Sequence, residues 1–146
     1  MAANRATLAY SAAPGTRHAL YYSLWKLLFP LAELQRREVI DRLAALDKAY
    51  AFTGTANGEI AQRWYPLAVR SGYGEANEAI AEFLQRVGRR KLIMPTYAAL
   101  VKTPEGLALA EKVLADARAG YHPITTGSVD AVIAKAKGEE AAAQAD

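Results

Sequence analysis

Apolar residues recur along this chain every three or four positions and almost nowhere every second one, and that regularity decides what it can fold into. Ile80, Phe83, Leu84 and Val87 stand at i, i+3, i+4 and i+7, one stripe of an amphipathic helix, and Gly88 follows as a C′ stop. Ile60, Trp64, Leu67 and Ala68 repeat the spacing behind Asn57, a helix-capping residue type. Glu59 falls in that helix's first turn, where an acid complements the dipole, and Ser71-Gly72 ends it. Val39, Ile40, Leu43 and Leu46 form an earlier stripe; Leu20, Tyr21, Leu24, Trp25, Leu27 and Leu28 form a broader one that Pro30 terminates. No run alternates β-branched and aromatic residues between turns, so strands are not expected.

Further starts are written out downstream. Thr103-Pro104-Glu105 reads as N-cap, proline at N1 and an acid in the first turn, followed by Leu107, Ala110, Leu114 and Ala117 as the buried stripe. His122-Pro123 opens a last helix with Val129, Val132 and Ile133 inward and Gly138 closing it. Met94-Pro95 predicts a short helix from Pro95 through Val101, because proline drives its predecessor out of the helical region. The chain is thus all-α, with about seven helices. Starts near Asn57, Glu75, Pro95, Pro104 and Pro123 make recurrent hairpins, which suit an armadillo/HEAT-like α-α superhelix better than a long four-helix bundle. Residues 1–40 read as an N-terminal segment, helical from about 18, residues 41–137 as the helical domain, and 138–146 as an acidic, alanine-rich tail without fixed structure.

Composition narrows the chemistry. A chain of 146 residues is long enough to bury a real core without staples, and with no cysteine it has no disulfide, thiolate metal site or cysteine nucleophile. His18 and His122 are too far apart for two imidazoles on adjacent turns of one helix, so a His-Glu-x-x-His zinc site is absent. Lys and Arg number 18 against 15 acids; three of those acids lie after Lys137, which leaves Met1–Lys137 at +6. That charge attracts small anions but lacks the dense basic stripe of a nucleic-acid binder. No apolar run has the length of a membrane span, and Met1–Ala19 lacks the core of a secretory signal, so a cytoplasmic location is expected.

The densest charge cluster is Arg86, Arg89, Arg90 and Lys91 around Gly88. It reads either as a solvated helix C-terminus, where cations suit the dipole, or as an anion site in which Arg89 and Lys91 point one way and Arg90 another. Elsewhere the plainer readings are expected. His122 is expected as an N-cap or a packed surface histidine rather than a catalytic base, Glu59 and Arg63 as an i, i+4 pair, Trp25 and Trp64-Tyr65 as core anchors, and Gly54, Gly58, Gly72 and Gly74 fit no phosphate-binding pattern.

Several spaced motifs in one order carry a resemblance. Leu46-Asp47-Lys48-Ala49-Tyr50-Ala51-Phe52, Asn57-Gly58-Glu59-Ile60 through Arg63-Trp64, Gly88-Arg89-Arg90-Lys91-Leu92-Ile93-Met94-Pro95, Lys102-Thr103-Pro104-Glu105-Gly106 and Gly120-Tyr121-His122-Pro123-Ile124 are together similar to the C-terminal helical domain of the leukotriene A(4) hydrolase and aminopeptidase B group of zinc aminopeptidases. The resemblance runs from about Leu43 to Ile133. It implies an armadillo-like domain that packs on a zinc-bearing catalytic domain, walls one side of the peptide cleft, and binds the substrate carboxylate through the Arg and Lys of Gly-Arg-x-Lys, here Arg89 and Lys91. It implies no cofactor in this chain and zinc in the associated catalytic domain. The family's His-Glu-x-x-His and Gly-x-Met-Glu-Asn motifs are missing, so a free-standing or excised domain of this kind is not expected to hydrolyse peptides alone. The competing expectation is a stand-alone helical-repeat module whose basic turn docks an acidic protein segment. An exposed apolar face, and with it self-association, is expected of a domain built to sit against another.

Overall fold

The structure, a computed structural model, describes residues 33–145. The stripe at Leu20–Leu28, its stop at Pro30, and His18 lie outside that range. The chain divides into two units, Met1–Glu38 and Val39–Asp146, of which the second is compact. Helix α1 runs over 33–50. The second unit continues with α2 (Gly58–Ser71), α3 (Asn77–Arg86), α4 (Arg90–Leu100), α5 (Pro104–Ala117) and α6 (Pro123–Ala145), with 3-10 turns at Gly74–Ala76 and Arg118–Gly120. No strand occurs among the described residues. Within this unit α2 packs along α4 and α4 along α6, while α3 packs along α5. Hairpin partners α2–α3, α4–α5 and α5–α6 also touch, so alternate helices form two layers of an all-α superhelix.

The caps sit where the side chains dictate. Asn57 Oδ1 accepts from the Glu59 N–H, Thr103 Oγ1 from the Gly106 N–H, and His122 Nδ1 from the Ile124 N–H. Gly72 ends α2 in the left-handed region at φ 73°. Ile80, Phe83 and Leu84 of α3, and Leu107, Ala110, Leu114 and Ala117 of α5, are buried as their spacing predicts. Each such large side chain contributes about 1.5–3 kcal/mol of burial.

Several expectations are corrected. Helix α4 begins at Arg90, and Pro95 lies inside it. The ring removes only a bond to the Lys91 carbonyl, and both residues are exposed, so water can take that acceptor. Helix α3 ends on Val87, an extended C-cap (φ −108°, ψ 108°), and Gly88 does not take the left-handed conformation. On α2 Trp64 and Ala68 are buried as expected, but Ala61 and Tyr65 complete the inward line, whereas Ile60 and Leu67 are 38% and 41% exposed. Two alanines in that line let α4 approach closely, which the larger Ile60 and Leu67 would prevent. On α1, Leu43 is buried while Val39 and Leu46 are exposed. Helix α6 runs past Gly138 to Ala145, since Glu139, Glu140 and four alanines are strong helix formers and Lys135 pairs with Glu139 one turn on.

Candidate functional site

Arg89, Arg90 and Lys91 stand at the N-cap, N1 and N2 positions of α4, not at the C-terminus of α3. Only Arg86 is in the last turn of α3. The favourable dipole reading therefore fails for three of the four cations. They lie on the positive end of a helix whose first turn contains no acid and whose N-cap provides no side-chain bond. Each cation there is disfavoured by about 0.3–1 kcal/mol unless an anion joins it.

The turn that holds them is braced from behind by the Gly120–Ile124 motif. A Cβ on Gly88 would stand 3.3 Å from the Gly120 carbonyl oxygen and 3.6 Å from Tyr121 Cδ1, so only glycine fits this approach without displacement. Thr125 Oγ1 donates to the Gly88 carbonyl at 3.4 Å. Tyr121 Oη donates to the Leu84 carbonyl at 2.5 Å, leaving Tyr97 Oη, 3.3 Å away, to donate to Tyr121. Burial raises the pKa of both phenols, so the two hydroxyls keep their protons and act as donors. Arg89 thus projects from a rigid corner. All three cations are solvent-exposed.

Lys91 Nζ reaches across to α2 and meets Glu59 Oε1 at 3.3 Å. Glu59 Oε2 also accepts from Gln62 Nε2. The expected Glu59–Arg63 pair does not form; Glu59 faces a lysine 32 positions away, a partner no local spacing could reveal. Neither Arg89 nor Arg90 makes an ion pair among the described residues. Beside Glu59 an open apolar groove of about 450 Å³ runs along α2, lined by Phe52, Ile60, Trp64 and Leu67 with Arg63 on its rim. A larger hollow of about 520 Å³ lies away from the cations, between Val101–Pro104 and the Val132–Glu140 stretch of α6.

A second polar cluster, missed by the sequence reading, fixes the segment leading into α2. Asp47 Oδ1 accepts from the Thr53 N–H at 2.7 Å, and the one Tyr73 hydroxyl proton is shared between Glu75 Oε2 at 3.0 Å and Asp47 Oδ2 at 3.2 Å. Trp64 Nε1 donates to Thr53 Oγ1 at 2.9 Å, and the Gly54 N–H to Tyr65 Oη at 3.2 Å. Burial pushes the Asp47 carboxyl up, but the bonds from Thr53, Tyr73 and Phe52 together outweigh it and hold the pKa below 3.8. Burial, with the neighbouring Glu75 and Asp47 carboxylates, pushes the Tyr73 phenol to about 12. Trp64 is a core anchor as expected, with Phe52 tilted against it at 5.1 Å and Tyr73 edge-to-face at 6.0 Å.

Among the described residues no group of three or more His, Cys, Asp or Glu could hold a metal ion.

The chain is similar to leucine aminopeptidase 2 of Neurospora crassa, 34% identical over 91 residues, covering 62% of this chain and 13% of that protein. It is likewise 34% identical to leucine aminopeptidase 2 of Lodderomyces elongisporus over 95 residues, covering 65% of this chain and 14% of the relative. The chain spans about a seventh of the length of the curated relatives it matches. The sequence model described as "Leukotriene A4 hydrolase, C-terminal" matches residues 23–133, most of the chain. The chain belongs to that family, the C-terminal domain of leukotriene A(4) hydrolase-type aminopeptidases.

Proposed function

We propose that this chain is the non-catalytic C-terminal domain of a zinc aminopeptidase, that it walls one side of the peptide cleft, and that Arg89 and Lys91 hold the substrate's carboxylate end. The observation that carries the proposal is the placement of Arg89, Arg90 and Lys91 on the uncapped N-terminus of α4, exposed and without an acid in that turn. Cations at a positive helix end are a cost to the fold alone and a gain once an anion binds. Arg supplies a planar fork for two carboxylate oxygens and Lys a point charge. Arg90 is assigned no such role.

The chemistry of hydrolysis is left to the catalytic domain. Zinc there would polarise the scissile carbonyl and activate water. This chain's residues would bind and orient, setting the distance between a peptide's C-terminus and the reacting bond. Among the described residues no helix is long and apolar enough to cross a membrane.

In the complete enzyme, Arg89→Ala is expected to lower kcat/KM for tripeptides by about 10- to 100-fold, the range of a charge-assisted hydrogen bond. Aminoacyl chromogenic amides, which have no carboxylate, should lose less than about twofold. Equal losses on both substrates would remove the clamp. Recovery of the chain from its native lysate in a complex with a non-peptidase acidic partner, and with no aminopeptidase activity, would favour the interaction-module reading instead.

A further inference from the structure

We infer that Glu59 is a built-in competitor for the carboxylate at Arg89 and Lys91, so that a peptide's C-terminus engages Arg89 first and gains Lys91 only by displacing Glu59. The inference rests on the clamp reading above.

Glu59 is held in place from several sides. Its backbone N–H donates to Asn57 Oδ1 at 3.0 Å, its Oε2 accepts from Gln62, and its Oε1 accepts from Lys91 Nζ at 3.3 Å. Gly58 seats the first turn of α2 against α4, so close that an added Cβ would stand 2.9 Å from Leu92 Cδ1. Two helices thus deliver the carboxylate and the ammonium to each other from positions fixed by backbone.

The pair is 64% and 56% exposed, and a pair so open to water contributes little to stability. Its consequence is electrostatic. With Glu59 in contact, Lys91 presents almost no net charge to an incoming anion, whereas Arg89 has no ion-pair partner among the described residues. A ligand carboxylate that reaches Lys91 must also come near Glu59 and meet its like charge. The resting site is therefore asymmetric: one available cation and one masked one. Glu59 sets the clamp to weak, reversible capture of C-terminal carboxylates.

The test uses the full 146-residue chain. Trialanine and its C-terminal amide are titrated against wild type, Arg89→Ala and Glu59→Gln while the backbone amides of Arg90, Lys91 and Leu92 are followed by NMR. Glu59→Gln is expected to lower the Kd for trialanine by about three- to tenfold, the scale of one charge pair about 4 Å apart in water. It should leave binding of the amide unchanged, and the gain should shrink as salt is added. If wild type binds acid and amide alike, the clamp reading fails and this inference falls with it. If wild type prefers the acid and Arg89→Ala abolishes that preference, but Glu59→Gln binds no tighter, the clamp stands and the inference alone is overturned. Weaker binding by Glu59→Gln would likewise overturn it, making Glu59 a support for Lys91 rather than its competitor.

Discussion

Asp47 shows how much of this molecule rests on single side chains that no periodicity marks. Its carboxylate joins the end of α1 to Thr53 and Tyr73, and Thr53 in turn joins Trp64, so one acid aligns the segment that enters α2. Because its pKa is held below 3.8 in the fold, Asp47 binds fewer protons folded than unfolded. Its contribution is thus complete above about pH 4 and is lost as pH falls through the folded-state value. Asp47→Ala is expected to cost about 1–3 kcal/mol at neutral pH, read from urea unfolding. Asp47→Asn should flatten the acid limb of a plot of Tm against pH; an unchanged limb would place the acid sensitivity elsewhere. At this scale the caps were legible, since Asn57, Thr103 and His122 act on backbone two or three residues away. The Asp47–Tyr73 and Glu59–Lys91 contacts were not, because those partners lie 26 and 32 positions distant.

Between elements, close approach decides more than propensity does. A Cβ on Gly106 would fall inside van der Waals contact with the Leu100 carbonyl oxygen and 2.8 Å from Thr103 Oγ1, at the α4–α5 corner. Nothing lies within 4 Å of the same position on Gly138, in the middle of α6. Gly→Ala favours a helix interior by about 1 kcal/mol where there is room. Gly138→Ala should therefore raise Tm, while Gly106→Ala should lower stability by about 1–3 kcal/mol through overpacking against backbone. Equal effects in thermal unfolding would refute the packing argument. The tyrosines make a second joint: Tyr121 reaches Leu84 of α3 and Tyr97 of α4 at once. Tyr121→Phe leaves a carbonyl and a hydroxyl without their partner and should cost about 1–3 kcal/mol, more than Tyr97→Phe, which removes one donor and leaves the Leu84 bond intact. With Tyr65, Tyr73, Tyr97 and Tyr121 all raised above 10, their contribution is complete below about pH 10 and lost as pH rises, through about 12 for Tyr73. Helix starts with a capping side chain could be read from sequence. The entry of α4 could not, because its N-cap, Arg89, gives the backbone no side-chain bond and Pro95 imitates a start.

For the whole molecule, the recurrence of hairpins was enough to indicate a layered all-α superhelix, because each short helix has one apolar stripe and must find it a neighbour. Which stripes would stay uncovered was not legible: hydrophobic spacing is the same whether the facing surface comes from this chain or another. Val39, Leu46 and Tyr50 of α1 are 46%, 45% and 67% exposed. Tyr50 stacks on Phe52 at 5.4 Å, and Phe52 leads into the α2 groove with Ile60 and Leu67. Exposed apolar side chains on α1 and along the α2 groove, on a chain that spans about a seventh of its relatives' length, are what a domain seated against a larger body would show. Alone, the chain is expected to self-associate through this surface. Static light scattering should give a mass that rises with concentration, and Ile60→Lys with Leu67→Lys should return it to monomer without loss of helical circular dichroism. Both substitutions point into the groove, not into the buried Ala61–Tyr65–Ala68 line, so the packing of α2 on α4 is spared. A strict monomer at every concentration would mean that this surface is stable in water, and that a contact with the proposed catalytic domain must be sought on another face.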